Sequence, residues 1–482
     1  MLLRTIIPQV SSLRYLVENL DLQSPLGKRF LLDSAMLHDA LAIEMELKLV
    51  EKVFGLLENH TQSDFITKVQ IKLMQLRDIR GSVNNVKSNL VLDDVELFEI
   101  KSFAIVAQEI GQLQRERGNE IIEIPDLNEL IDILDPQGNR IPSFYIYDSY
   151  SEELAGLRKE MKSCKKALID QPEDAELKQQ LEQLFNRSQE VEAVIREEIC
   201  AKIKSRKIIL EEALQNVAHL DVVVAKALQA KKLNMCKPSL TQGDSWYQGM
   251  FNPQIQAALA QKKRNYQAID IRIEPSVCFI TGANMAGKTV ILKTLALCQY
   301  LAQFGFYVPA SAAGIALVDE ILISVGDEQS EENGLSSFAS EMLKVNRMVE
   351  EAQKQSNVLI LIDELARTTN PVEGRAIVNA VADIFRENGI RSMITTHYSG
   401  LNTNCRKLRV KGLDKDLQAG SINKDNINDY IDYSLVEDQA GRVPHEALRI
   451  ATMLGINREI IEKAQCQLDE TEQTKEKHIL ND

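Results

Sequence analysis

The sequence predicts an α/β domain with a mainly parallel sheet flanked by helices, preceded by an all-helical region that includes a long helical hairpin. Three observations carry this reading. The apolar run Val277 to Ile280 leads into the glycine-rich segment Gly282 to Thr289 (GANMAGKT) and then into the helix-like stretch Val290 to Tyr300. A second apolar run, Val358 to Ile362, closes on the adjacent acids Asp363 and Glu364. Upstream, apolar residues recur three and four apart with few strand signals, the period of helices rather than strands.

Taken in chain order, residues 1–150 read as an all-helical core. Ala40 to Leu57 and Val95 to Leu113 place apolar residues on one face and charges on the other. Residues 151–237 sharpen the pattern. Leu154, Leu157, Met161, Cys164 and Leu168 keep a 3,4 rhythm, Pro172 interrupts it, and Leu177, Leu181, Leu184, Ser188, Val191 and Ile195 resume it. Two helices folded back on each other about Asp170 to Asp174 satisfy this spacing. Residues 238–468 hold the α/β domain, and the charged segment 469–482 reads as a frayed tail.

The glycine-rich segment has the spacing G-x-x-x-x-G-K-[ST]. Such a loop curls its backbone N–H groups around a polyphosphate, with Lys288 on the outer phosphates and the Thr289 hydroxyl directed to Mg²⁺. The following helix adds the positive end of its dipole. Val358 to Ile362 reads as a parallel strand buried on both faces, which places Asp363 and Glu364 at its carboxyl end, where ligands bind in such sheets. Two acids at a buried strand end are costly unless used. Asp363 is expected in the metal shell and Glu364 against the attacking water. A third strand-like run, Ser392 to Thr396, delivers His397 to the same edge, where it is expected to sense the γ-phosphate or the water.

Composition bounds the alternatives. A chain of 482 residues exceeds one ordinary core. No uninterrupted apolar stretch approaches the roughly 20 residues of a membrane span, and the N-terminus shows no signal pattern, so a cytoplasmic location is expected. The seven cysteines form no C-x-x-C pair, supporting neither a zinc site nor a disulfide framework. The formal charge of -14 works against nonspecific nucleic-acid binding, which needs a Lys/Arg surface.

Five spaced motifs together resemble the ATPase domain of the MutS family: Thr281–Thr289 (TGANMAGKT), Phe304–Ala310 (FGFYVPA), Gly334–Met342 (GLSSFASEM), Ile362–Thr368 (IDELART) and Thr396–Tyr398 (THY). The resemblance covers about residues 265 to 465 and implies an ABC-type ATPase acting as a homodimer, in which each subunit completes the other's ATP site. Gly282, Ala283, Asn284, Met285, Ala286, Gly287, Lys288, Thr289 and Val290 then form the phosphate cradle, with Asn284 near the phosphates. Ser336 and Ser337 match the segment that meets the partner's γ-phosphate. Tyr266 and Tyr433 occupy positions resembling adenine-flanking residues, and read equally as packing aromatics. ATP and Mg²⁺ are the implied ligands, and Lys288, Glu364 and His397 the implied catalytic residues. Ala283 and Ala286 depart from the family's usual Pro and Gly, and the residues after Arg367 depart from its usual intersubunit segment.

Ser24–Leu31, Leu76–Arg80 and Asn216–Pro238 resemble the family's core and lever. The predicted hairpin turn leaves no room for a family-sized clamp. The mismatch-recognition and connector domains are expected to be lacking, and no nuclease-like domain is expected after Ala464. The family role this implies is DNA binding in mismatch repair. The alternative is ATP-driven remodelling or reactivation of a protein client, as the family resemblance suggests beside cobalamin-dependent mutases.

Overall fold

Helix caps and apolar stripes explain the first half of the chain. The computed structural model describes residues 1–479 apart from 60–62, 142, 283–286, 326–336, 355–356, 368, 399, 402–403, 414–429, 439–445 and 454. Up to residue 233 its elements are helices: α1 (Leu3–Ile6), α2 (Ser11–Glu18), α3 (Pro25–Asp33), α4 (Ala40–Glu58), α5 (Ser63–Leu73), α6 (Arg80–Lys87), α7 (Asp94–Glu116), α8 (Asn128–Leu134), α9 (Glu152–Asp170), α10 (Ala175–Ser205) and α11 (Lys207–Leu233). Asp93 and Glu96 form a reciprocal capping box at the start of α7, and Asp39 caps α4 through the Ala42 N–H.

Helices α9 and α10 break apart at Gln171–Asp174, around Pro172, and Asp174 caps α10 through the N–H groups of Glu176 and Leu177. They run antiparallel, with Arg187 bonded to Glu153 and Arg158 to Glu192, both at 2.8 Å. By contrast α11 is buried nearly all round from Val217 to Ala230 and packs on α3 and α4. A carboxylate in that core must be satisfied internally. Asp221 accepts from Gln23 N (3.0 Å), Ser24 N (2.8 Å) and Ser24 Oγ (2.6 Å), while Ser24 Oγ accepts the Gly27 N–H at 2.9 Å and so caps α3. Gly27 is required here because a Cβ would stand 2.3 Å from Asp221 Oδ2.

The strands follow: β1 (Ser239–Thr241), β2 (Ser245–Met250), α12 (Pro253–Gln261), β3 (Ile269–Ile273), β4 (Val277–Thr281), α13 (Lys288–Gln303), β5 (Ala312–Ala316), β6 (Glu320–Ser324), α14 (Ser337–Lys354), β7 (Val358–Ile362), α15 (Pro371–Glu387), β8 (Arg391–Thr395), β9 (Arg406–Leu413), β10 (Ile431–Glu437), α16 (Glu446–Met453) and α17 (Arg458–Ile479). They form a six-stranded sheet in the order β10-β9-β4-β8-β7-β6 and a four-stranded sheet in the order β1-β5-β2-β3. In the larger sheet β9, β4, β8, β7 and β6 are mutually parallel and β10 is an antiparallel edge. Every residue of β4, β7 and β8 is buried, and β7 is accordingly an unbroken apolar run, while β8 also buries Arg391, Ser392 and Thr395.

Two features differ from the sequence reading. The smaller sheet is mixed, since β1 and β5 are parallel while β2 runs antiparallel to both β3 and β5. Its strands are short and partly exposed, so they leave no long apolar run. The segment from Asp469 is also not frayed throughout, because α17 continues to Ile479. Its Glu, Gln and Lys residues are good helix formers.

Helix α13 joins the two halves. Gln303 Nε2 donates to the carbonyls of Leu37 (3.0 Å) and Val318 (2.8 Å), and the Leu37 N–H returns a bond to the Gln303 carbonyl at 2.8 Å. Buried Lys226 of α11 donates to the Phe304 carbonyl at 2.7 Å, beside Glu46 of α4.

Replacing Asp221 with Ala strands two backbone N–H groups and the Ser24 hydroxyl in the helical core. We expect the Asp221→Ala protein to lose about 2–3 kcal/mol of stability, read as a lowered denaturation midpoint in urea followed by circular dichroism.

Candidate active site

The order β4-β8-β7 brings three carboxyl strand ends side by side, and the site is built there. At the end of β4 the chain turns through Gly282 (φ 139°) and Gly287 (φ 74°), conformations open to glycine, and α13 begins at Lys288. Ala283, Asn284, Met285 and Ala286 lie outside the described residues. Lys288 is buried, donates to the Gly282 carbonyl at 2.7 Å and stands 3.9 Å from Glu364 Oε1. Burial lowers its pKa from the usual lysine value, with Glu364 and Asp363 opposing. Val290 completes the first turn of α13, half-buried.

Asp363 follows β7 and lies between two hydroxyls. Thr289 Oγ1 donates to Oδ2 and Thr395 Oγ1 donates to Oδ1, each at 2.6 Å. Thr395 also accepts the Glu364 N–H at 2.8 Å, so one hydroxyl at the end of β8 holds both acids of the pair. Glu364 and Ala366 have left-handed backbones (φ 50° and 60°), unusual for non-glycine residues. Glu364 Oε2 accepts from Arg367 at 3.1 Å.

His397, two residues beyond β8, is exposed at the rim, with its ring 4.3 Å from that of Tyr398. Partial burial lowers its pKa from the usual histidine value. The nearby charges of Lys288 and Arg367 act in the same direction, and Glu364 opposes them. The shift favours the uncharged ring, which carries both a donor and an acceptor.

Tyr433 packs against the loop, where a Cβ on Gly287 would meet its Cδ1 at 3.2 Å. Its N–H donates to Gln267 Oε1 at 2.9 Å, and Gln267 Nε2 donates to Asp432 at 2.8 Å. Tyr266 is tied differently. Burial raises its pKa, with Asn252 and Thr294 opposing, which puts its hydroxyl near α13. Ser336 lies outside the described residues, and Ser337 opens α14.

Sequence reasoning missed Thr395, Gln267, Glu341 and Tyr398 as parts of the site. Glu341 accepts the Ala366 N–H and Tyr398 Oη donates to the Ala366 carbonyl. The hydroxyl of Thr395 at the end of a buried strand was an available signal, whereas Gln267 shows its role only once β10 lies next to β3.

The oxygen pair formed by Thr289 Oγ1 and Asp363 Oδ2 suits a hard cation such as Mg²⁺, which takes few protein ligands and completes its shell with water and phosphate. Among the described residues no group of three or more His, Cys, Asp or Glu is assembled to hold a metal. No helix among the described residues is long and apolar enough to cross a membrane.

A buried strand, a glycine loop, a helix starting at Lys-Thr and a neighbouring strand ending in paired acids define a phosphate-loop nucleotide-binding domain. Residues 278–472, from β4 into α17, match the family described as MutS domain V. The chain is 35% identical over 259 residues to Endonuclease MutS2 of Thermus thermophilus, covering 54% of this chain and 32% of that protein. It is 28% identical over 438 residues to Endonuclease MutS2 of Caldanaerobacter subterraneus subsp. tengcongensis, covering 88% and 53%. With Endonuclease MutS2 of Caldicellulosiruptor bescii it shares 26% over 442 residues, covering 90% and 54%. The chain thus spans between about a third and about half of these relatives' own length. Residues 278–472 thus carry a domain of the MutS family, and the chain is similar beyond it to these MutS2 proteins.

The charges around His397 make a signed prediction. In Lys288→Ala the His397 pKa should rise, because a cation that disfavours protonation is gone, and in Glu364→Gln it should fall further. Imidazole NMR titration checks both. Because the folded-state value lies below the unfolded one, this histidine destabilises only as pH falls below the ordinary histidine range, and above that range the penalty is absent.

Proposed function

We propose that the chain is a Mg²⁺-dependent ATPase that works as a nucleotide-switched homodimer with composite sites. The observation that carries it is the Thr289–Asp363–Thr395 hydroxyl–carboxylate bridge at the mouth of the phosphate loop. In this reading the loop amides and Lys288 hold the β- and γ-phosphates of ATP, and the Thr289 hydroxyl and Asp363 carboxylate hold Mg²⁺. Bound there, the ion neutralises charge on the β- and γ-oxygens. Glu364 orients the attacking water, which requires its carboxylate to turn from Arg367 toward the γ-phosphate side. His397 hydrogen-bonds the γ-phosphate or the water. Tyr433, held against Gly287 by Gln267, lines the nucleotide on the base side, and the burial of Tyr266 supports a packing role beside it. Ser336 and Ser337 act on the partner's nucleotide.

The family relationship supports DNA as the client, and the word endonuclease describes the relatives. The formal charge of -14 favours the second reading, in which the same ATPase remodels or reactivates a protein client such as a cobalamin-dependent mutase. ATPase assays and gel shifts with homoduplex, mismatched and branched DNA at physiological salt separate them. Stimulation by one of these DNAs supports the first reading, and absence of binding and stimulation supports the second.

Lys288→Ala should abolish ATP binding in calorimetry. Glu364→Gln should bind ATP, lose roughly 10²- to 10⁴-fold in turnover and accumulate as the closed dimer in size-exclusion chromatography. Wild-type turnover by Glu364→Gln removes the water-orienting role. A specific activity that stays constant on dilution below dimer formation removes the composite site.

A further inference from the structure

Glu364 is presented by a turn that the chain does not favour by itself. Glu364 and Ala366 are both non-glycine residues with left-handed backbones, φ 50° and 60°, each costing on the order of 1 kcal/mol. Such a turn persists only where its surroundings over-determine it. The contacts that hold it come from two directions. From the end of β8, Thr395 accepts the Glu364 N–H at 2.8 Å and Tyr398 donates to the Ala366 carbonyl at 2.6 Å. Tyr398 reaches that carbonyl because residue 374 is glycine, where a Cβ would lie 2.1 Å from the tyrosine oxygen. From the other side comes a carboxylate, Glu341 Oε1, which accepts the Ala366 N–H at 2.8 Å.

Ala366 is thus gripped on both its N–H and its carbonyl, and it is fully buried. A backbone N–H bonded to a carboxylate is charge-assisted and stronger than a neutral pair. Glu341 lies on α14, one turn into the helix that opens at Ser337, whereas Glu364 belongs to the loop after β7. The bond therefore ties the placement of α14 to the placement of Glu364, and a shift of that helix by an ångström is felt at the carboxylate.

We propose that Glu341 is a positioning residue for Glu364, holding the turn from Glu364 to Arg367 through the Ala366 N–H so that the Glu364 carboxylate faces the phosphate loop. This rests on the reading that Glu364 orients the attacking water. In this role Glu341 acts on neither nucleotide nor water. It sets the aim of the residue that does, and it couples that aim to α14.

Steady-state ATPase measurements on the full chain test it with variants that separate reach from charge. Glu341→Gln keeps an oxygen at the same reach and loses the charge, whereas Glu341→Asp keeps the charge and falls a methylene short of the Ala366 N–H. Misplacement by about 1 Å can cost as much as 10²-fold in rate. We therefore expect kcat to fall roughly 10- to 100-fold in Glu341→Asp and Glu341→Ala, with KM for ATP within about twofold of wild type. Glu341→Gln should stay within a few fold of wild type in both. Wild-type kcat in Glu341→Asp, or a Gln variant worse than the Asp variant, overturns the proposal, since the second order marks Glu341 as an ionic partner of Arg367. Loss of ATP binding in parallel with kcat in the Asp variant also overturns it, by marking a general structural role. Glu364→Gln is measured beside them. If it turns over at the wild-type rate, the water-orienting reading itself fails. If it is inactive while Glu341→Asp is unaffected, only the positioning role fails.

Discussion

The site depends on one carboxylate held by two hydroxyls. Asp363 sits at the end of β7, Thr395 at the end of β8 and Thr289 on the first turn of α13, so their contacts fix three separately encoded segments to one another. Neighbouring parallel strands lie about 4.8 Å apart, close enough for side chains at adjacent strand ends to meet directly. Leaving the Asp363 carboxylate unpaired in this setting would carry a large desolvation cost. With the bridge made, the Glu364 N–H also falls to Thr395, and the phosphate-loop lysine lies within reach of the acidic pair. The strand order β4-β8-β7 therefore does chemical work. It places the strand bearing Thr395 between the glycine loop and the acids.

What happens at this bridge has a direct mechanical path to the helical half of the molecule. Helix α13 starts at the phosphate loop and extends about 24 Å at the usual rise per residue. At its far end Gln303 exchanges bonds with Leu37, and Lys226 of α11 holds the Phe304 carbonyl while its ammonium lies 4.5 Å from the centre of the Phe306 ring. Glu46 closes the group. Burial alone would raise its pKa, but bonds from His219 and Lys226 pull the carboxyl down to about 2, so it stays ionised beside them. Gly305 (φ 68°) permits the approach, since a Cβ there would lie 2.5 Å from that of Glu46. One continuous apolar core runs from Leu3 to Val410 through this junction. Packed interiors of this density transmit displacement as rigid bodies rather than absorbing it.

The sequence made the chemistry easier to read than the architecture around it. Glycine spacing, Lys288, Thr289 and the Asp363–Glu364 pair were legible because a phosphate loop and a buried strand end impose local patterns. The helices α4 and α7 and the break at Pro172 were legible from period and punctuation. The four-stranded sheet was not, because its strands run to only three to six residues and are too short to show a clear period. Thr395, Gln267 and Glu341 escaped notice for a different reason. Each acts by bonding to a residue far away in sequence, Gln267 to Asp432 and Tyr433 for instance, and such a partner becomes visible only when the sheets bring β3 and β10 together. Tyr433 illustrates the same limit. Nothing local distinguishes it from a packing aromatic, yet its backbone is clamped by Gln267 and its ring lies on the loop glycine.

The charge pattern of the hairpin bears on what it can bind. A surface that grips a nucleic acid through its phosphates gains from releasing condensed counterions, and it needs cations whose partners are solvent rather than protein. On α9 and α10 the arginines are already engaged. Arg158 bridges Asp148 and Glu192, Arg187 bridges Glu153 and Glu190, and Arg196 pairs with Asp94 and Glu192. A phosphate approaching any of them has to displace a carboxylate and then meet that carboxylate as a neighbour. These pairs instead fix the hairpin's register and bind α10 to the rest of the helical half, because Arg196 reaches across to α7. Their design is that of a strut. The chemistry of whatever binds the hairpin must be read from other faces than the arginines of its two helices.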